Sequence, residues 1–402
     1  MKISAVRAGG ARRGETGRRS GGGPPTGARW AARRPWVLRL SAVAVALLLA
    51  LAPGLAHADD GWRAVPDLPT PRYGLAGTSA PCPDVEGLAG TCVYAIGGQN
   101  DSPELATVEA YSPATNQWRK LDDLPTPRYA ARATTAPCPK GVKGLKGLCV
   151  YAIGGLKGDV NVGTVEAYSP ATGKWRTLDA LPTPRGFAAA ATAPCPEDVA
   201  GLEGGSCVYA VGGAYSDTVE AYSPATNQWR PVRSLGTPRD AAAAATTACP
   251  PGVDGLKGTC VYAVGGFNET DQILRTVEAY GPAVDQWRPA APLGSPRVAL
   301  GGTAGPCPRS DRAPKRSCVY AIGGFTDFSE FATGSAEVLD PAANTWSALP
   351  ALATPRFELA AATAPCPGGT RGRARTCVYA FGGIGDPPFP ALGSVEALPV
   401  GG

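Results

Sequence analysis

The chain of 402 residues has one histidine, His57, and one methionine, Met1. Charged residues make up only 18% and aromatic residues 7%. No long apolar stretch stands out. The run at residues 40–51 has 12 members, short of the roughly 20 that a spanning helix needs. With a single His, a histidine-rich metal site cannot be assembled. What the chain has in excess is Gly (53) and Pro (41). Helices tolerate both poorly, which argues against a helical bundle. Hydrophobic residues still reach 44%, so a folded core of strands and turns is expected instead.

Residues 1–39 carry Lys2 and nine arginines against one acid, Glu15. The apolar run at 40–51 follows, then Pro53, Gly54 and the small-residue site Ala56-His57-Ala58. Basic, apolar and small-x-small segments in that order are those of a secretory signal. Cleavage near Ala58 is expected, dividing the chain into a leader, 1–58, and a mature part, 59–402. Arg33-Arg34 before Trp36 and Val37 is loosely similar to a twin-arginine export signal. The expected location is extracellular or periplasmic, with no stable membrane insertion after cleavage. Loss of the leader removes the only His and the only Met. It leaves 28 basic against 32 acidic residues, net −4 where the whole chain is +5. His-based triads are then excluded.

The mature part is repetitive. A string of apolar-Tyr-Ala-apolar-Gly-Gly occurs six times, ending at Gly98, Gly155, Gly213, Gly266, Gly324 and Gly383, with steps of 57, 58, 53, 58 and 59 residues. Each unit starts with Pro-Arg and small residues, as in Arg72-Tyr73-Gly74-Leu75-Ala76-Gly77. A Cys, a Gly-rich loop and a second Cys follow, the latter opening Cys92-Val93-Tyr94-Ala95-Ile96-Gly97-Gly98. After a variable loop come Thr107-Val108-Glu109-Ala110-Tyr111, a turn, Gln117-Trp118-Arg119 and Leu124-Pro125-Thr126-Pro127. This reads as four short strands separated by turns. Four-stranded sheets that must bury both faces stack around an axis when repeated.

The double Gly, the Glu-x-Tyr run, the following Trp and the Pro-Arg that opens the next unit resemble the kelch repeat, over the whole mature chain. The resemblance implies an all-β, six-bladed kelch-type β-propeller with four strands per blade. Trp118, Trp175, Trp229, Trp287 and Trp346 mark five fourth strands, and the last unit ends without one. The missing Trp lies in Asp60-Gly61-Trp62-Arg63, so the N-terminal strand is expected to close the last blade. The period is too long for a WD-type propeller.

The 12 cysteines fall one pair to a unit: Cys82/Cys92, Cys138/Cys149, Cys195/Cys207, Cys249/Cys260, Cys307/Cys318 and Cys366/Cys377. Each pair brackets the loop between the first and second strands, where hairpin geometry suits a disulfide. Export permits the bond. Spacings of 10 to 12 residues do not resemble paired CxxC ligands. Six disulfides within blades are expected, and no metal or cofactor.

Two sets of residues are candidates for binding. The first is the constant arginine of each unit: Arg72, Arg128, Arg185, Arg239, Arg297 and Arg356. The resemblance implies that this Arg begins the innermost strand near the channel mouth. Six guanidiniums there would suit an anion. Pairing with Glu109, Glu166, Glu220, Glu278, Glu337 and Glu396 is the competing role, and constancy in all six units favours it. The second set lies in and beside the variable loops after the double Gly, which the resemblance implies share the Pro-Arg face. It comprises Tyr73, Tyr129, Tyr215, Phe267, Phe325, Phe328, Phe331 and Phe389. Aromatics beside acids suit a protein or glycan ligand, unless they fold back over the blade tops. Asp240 is an outlier, standing where other units have Tyr, Gly, Val or Phe. The cysteine loops of units five and six turn basic at Arg309, Arg312, Lys315, Arg316, Arg371, Arg373 and Arg375. An exported chain without interleaved aromatics there is a poor nucleic-acid binder.

The expected function is a secreted, non-catalytic, monomeric scaffold that binds protein or polysaccharide through the Pro-Arg face. The alternative is a carbohydrate-active propeller enzyme similar to a sialic acid mutarotase, working through Asp, Glu, Tyr and Arg. A galactose-oxidase-like copper site is excluded with the histidine, and sialidase Asp boxes are absent. The Ala, Gly, Arg and Pro bias is that of a high-GC bacterium.

Overall fold

The computed structural model describes residues 61–401 except 102, 309–315, 328–330 and 369–374. The leader expected at 1–58 lies outside the described residues. Six four-stranded antiparallel sheets account for nearly all the regular structure. Blade one runs Ala76–Pro81, Thr91–Ile96, Val108–Ser112 and Gln117–Lys120 from the inside outward. The other inner strands are Arg132–Pro137, Ala189–Pro194, Ala243–Ala248, Gly301–Pro306 and Ala360–Pro365. Each inner strand packs against those of the two neighbouring blades, with Ala360–Pro365 meeting Ala76–Pro81 to close the ring.

The second and third strands of each blade form the core. In Cys92-Val93-Tyr94-Ala95-Ile96 every residue is buried, and so is all of Val108–Ser112. A strand covered on both faces needs apolar residues at successive positions, not at alternate ones. Tyr94, Ile96 and Val108 of blade one pack on Val150, Ala152 and Tyr168 of blade two. The same contact between blades six and one joins Tyr379 and Phe381 to Val93, Ala95 and Tyr111.

The N-terminal strand Arg63–Val65 pairs antiparallel with Val395–Val400, matching Arg63 to Ala397 and Val65 to Val395. Trp62 supplies the sixth indole. Its Nε1–H donates to the Pro350 carbonyl at 2.8 Å, as Trp118 donates to Pro66 and Trp175 to Asp122.

All six cysteine pairs are bonded, with Cα separations of 4.8–4.9 Å. Cys82 joins Cys92, Cys138 joins Cys149, and Cys195 joins Cys207. Cys249 joins Cys260, Cys307 joins Cys318, and Cys366 joins Cys377. The two ends of each bond differ in burial. The second cysteine sits in the second strand, which neighbouring blades cover on both faces. Cys92, Cys149, Cys207, Cys260, Cys318 and Cys377 are accordingly buried, none more than 2% exposed.

One expectation needs correction. The constant arginine does not begin the innermost strand; that strand opens four residues later. The cause is the residue two beyond each arginine. Gly74, Ala130, Phe187, Ala241, Ala299 and Glu358 are all left-handed, with φ of 48–57°. Each turns out of its own blade and donates its N–H to the equivalent carbonyl of the preceding blade. The six bonds, 2.7–3.1 Å long, run Gly74 to Glu358, Ala130 to Gly74, Phe187 to Ala130, Ala241 to Phe187, Ala299 to Ala241 and Glu358 to Ala299. They form a closed circle of amides around the channel. Five of these residues are not glycine and bear the steric cost of that region. A buried N–H left without an acceptor would cost more.

The double Gly completes this joint. The second glycine of each pair donates to the next blade's arginine carbonyl, from Gly98 to Arg128 round to Gly383 to Arg72. Gly97 and Gly98 have φ of 58° and 100°, and a Cβ on them would lie 2.7 Å from the Arg128 oxygen and 2.8 Å from the Tyr73 oxygen. Only glycine fits so close a backbone approach.

Candidate binding face and channel mouth

The six constant arginines lie inside the blades. Each is 0% exposed. Arg128, Arg185, Arg239, Arg297 and Arg356 meet Glu166, Glu220, Glu278, Glu337 and Glu396 at 2.5–2.8 Å. Arg72 makes the same pair with Glu109. The guanidiniums also donate to carbonyls, as Arg72 does to Gly97 and Thr107. The second carboxylate oxygen is occupied as well. It accepts from the hydroxyls of Thr70, Thr126 and Thr183 in the first three blades. In the last three it accepts from the N–H groups of Gly236, Gly294 and Ala353. Burial pulls each arginine pKa down while the glutamate pulls it back up. These arginines tie the entry segment to the third strand. With every one of them paired and sealed from solvent, none faces an anion.

Cys207, Cys260 and Cys377, like Cys92, Cys149 and Cys318, are sealed within the blade cores and bonded. They hold the inner hairpin together, as their spacing in each unit led us to expect.

The loops after the double Gly do share a face with the Pro-Arg segments. The residue after each double Gly bridges the residue after the arginine in blades one, two, four, five and six, for example Gln99 with Tyr73 and Phe267 with Asp240. That bridge decides which aromatics are exposed, because it lays the ring across the blade top. Phe267 is 1% exposed and meets Tyr215 edge-on at 5.1 Å. Phe325 packs on Phe357 at 4.0 Å, and Tyr129 is buried edge-on against Phe187. Tyr73, Tyr215, Phe325 and Phe389 are half-buried. Phe331, beyond the bridge, is 60% exposed, and Phe328 lies outside the described residues. As exposed contact residues, Phe267 and Tyr129 are therefore corrected to packing residues.

The surrounding loops are acidic. Asp101, Glu104, Asp159, Asp217, Glu269, Asp271, Asp327 and Asp386 stand against Lys157 and Arg275. Val160, at the tip of a small hairpin of Leu156–Lys157 and Val160–Asn161, is 66% exposed. On the opposite face Arg316 pairs with Asp340 at 3.0 Å, and Arg375 is also engaged. The other basic residues expected there, Arg309, Arg312, Lys315, Arg371 and Arg373, lie outside the described residues.

Two chambers lie along the channel among the described residues. The larger, about 390 Å³, is lined by hydroxyls including Thr78, Ser79, Thr134, Thr192, Thr246 and Thr363. The smaller, about 50 Å³, is lined by Arg132, Leu75, Leu300, Leu359 and small residues. Around the amide circle sit three charged side chains. Asp240 is 6% exposed and accepts from the Ala241 and Ala214 N–H groups at 3.0 and 3.2 Å. Burial raises its pKa to about 7 against those bonds and Arg132. Glu358 is 8% exposed, and its Oε2 has no hydrogen-bond partner. Burial lifts it to about 7 too, with Arg132 pulling down and Asp240 pushing up. Burial lowers the Arg132 pKa, and Glu358 and Asp240 oppose the change.

Of these three, sequence reasoning singled out only Asp240. The same comparison of units holds the others. Two places after the arginine stand Gly74, Ala130, Phe187, Ala241, Ala299 and Glu358; four places after stand Ala76, Arg132, Ala189, Ala243, Gly301 and Ala360.

The Kelch motif family matches residues 88–125, 147–182, 200–236, 256–294 and 316–353. Among curated proteins, Kelch-like protein 23 of Homo sapiens is 25% identical over 291 residues, covering 70% of this chain and 42% of the relative. Kelch-like protein 35 of Mus musculus is 28% identical over 265 residues, 65% of this chain and 37% of the relative. Kelch-like protein 36 of Mus musculus is 27% identical over 239 residues, 56% and 34% respectively. The aligned part thus spans about two fifths or less of each of these relatives.

Proposed function

The chain belongs to the kelch-repeat β-propeller proteins, and from that premise we propose that it is a non-catalytic scaffold that docks a protein partner on the loop face. The carrying observation is the composition of the loops after the double Gly: eight acids against two bases among their described residues. Exposed Phe331 and Val160 rise from blades five and two, on opposite sides of it. Acidic fields steer basic partners and set on-rate and salt dependence. Exposed apolar side chains supply contact area. The partner is therefore a protein with a basic surface.

The working form is an exported monomer. Six disulfides support an oxidising compartment. No helix among the described residues is long and apolar enough to cross a membrane.

The test is interferometry of the purified chain against arrays of basic, neutral and acidic peptides and of glycans. Basic peptides should bind, and binding should weaken about tenfold between 50 and 300 mM salt, since exposed charges are screened within a Debye length. Phe331→Ser should speed dissociation. Selective glycan binding would replace a protein ligand with a polysaccharide, and preference for acidic peptides would overturn the reading.

A further inference from the structure

The channel wall is built almost wholly from Gly, Ala and Thr. Among the described residues Arg132 of blade two is the one charged side chain in its lining, and Asp240 of blade four and Glu358 of blade six sit beside it at the amide circle. They come from alternate blades, so they surround the axis. All three lie close to the amide circle. Glu358 is a member, Asp240 precedes the member Ala241, and Arg132 follows the member Ala130 by two residues.

Their environment differs from that of the six structural arginines. Those are locked to glutamates, five of them at 2.5–2.8 Å. Arg132, Asp240 and Glu358 make no ion pair within 4.0 Å with one another. The Arg132 guanidinium donates to the adjacent Ala131 carbonyl. Glu358 Oε2 is buried without any partner, and lies 3.2 Å from where a Cβ of Gly74 would stand. Burying charge without pairing it is expensive. Glu358 also occupies a left-handed position, φ 50°, that Ala or Gly fills in four other blades. Strain and unpaired charge kept at one spot are marks of a site rather than of a scaffold.

We propose that this mouth binds a small zwitterion of the α-amino-acid class, its carboxylate on Arg132 and its ammonium on Asp240 and Glu358. The signs decide the class. A plain anion would meet two carboxylates, and a plain cation would meet the guanidinium. A ligand carrying both charges satisfies all three groups. The chamber of about 50 Å³ beside Arg132 takes a carboxylate-sized group and no bulky acid. Tyr73 adjoins Gly74, whose N–H donates to the Glu358 carbonyl, and Tyr215 adjoins Ala214, whose N–H donates to the Asp240 carboxylate; aromatic faces attract ammonium groups. This site is independent of the loops that dock a protein.

Isothermal titration calorimetry of the folded chain with L-alanine tests the proposal, with ethylamine and propionate as single-charge controls. Alanine should bind saturably, and each control at least tenfold more weakly. Arg132→Gln and Glu358→Gln should each weaken alanine binding at least tenfold while keeping a cooperative melt. Phe331→Ser should leave it unchanged, which separates this site from protein docking. Affinity should rise from pH 6 to 8, as the carboxylates facing Arg132, Tyr73 and Tyr215 ionise. Failure of all twenty amino acids to saturate the site would overturn the proposal, and so would equal binding of ethylamine or propionate.

Discussion

At the residue scale, buried charge serves two purposes in this chain, and each predicts a different mutant. The repeated Arg–Glu pairs have no solvent to fall back on. Removing Arg128 leaves the Glu166 carboxyl without its partner at 0% exposure. Arg128→Met should cost about 3–5 kcal/mol, the usual penalty for orphaning a buried partner. Glu166→Gln added to it should recover part of the loss, which denaturant melts of the single and double variants will measure. Glu358 behaves in the opposite way. Its pKa stands near 7, above the ordinary carboxylate range, because burial disfavours its charge. The folded state therefore binds its proton more tightly than the unfolded state. That stabilisation is complete below the unfolded pKa near 4 and is lost as pH rises through 7. Glu358→Gln should leave stability unchanged at pH 4 and raise it at pH 8, by up to about 3 kcal/mol. Equal melting curves at pH 8 would refute the burial account. The paired arginines were legible in the sequence because Arg and Glu recur together in all six units. Arg132 and Glu358 were harder to see, since only the structure places the second and fourth residues after each arginine at the channel.

At the scale of the element, the blade is stapled at its inner hairpin. A disulfide across a loop of about ten residues contributes about 2–3 kcal/mol in the chain-entropy model. The Cys138→Ser, Cys149→Ser double variant should lose about that much. Hydrogen exchange should rise first in Leu148–Ile153, paired with Arg132–Pro137, and stay slow in blade five. Uniform loosening of all blades would contradict a local staple. Strand identity was readable from apolar runs, but the inner strand's start was not. Gly74 hints at a left-handed third residue in Arg-Tyr-Gly-Leu, but nothing in Arg-Phe-Glu-Leu announces one. The conformation is imposed by the neighbouring blade, whose carbonyl waits for that N–H. The same tertiary origin hid the burial of Phe267. Its bridge to Asp240 forms only once both segments meet at the blade top.

At the scale of the whole molecule, closure rests on two circuits and one borrowed strand. The amide circle joins the inner edges, and the indole-to-carbonyl bonds join the outer ones, with Trp62 to Pro350 completing the latter. The missing sixth Trp made the borrowed strand visible in sequence, because a repeat count exposes an absence at one end and a surplus at the other. Removing residues 61–66 should therefore act at a distance from the channel but on the entire ring. Val395–Val400 would become an open edge, and the Pro350 carbonyl would lose its donor. Open edges invite pairing with another chain. The truncated protein should show early exchange in Val395–Val400 and Thr376–Phe381, a lower Tm, and concentration-dependent dimers in sedimentation. A synthetic peptide of residues 61–66 added in excess should reverse all three effects by mass action. Were the truncated ring to keep its Tm and its exchange protection, the amide circle alone would suffice to hold the blades together.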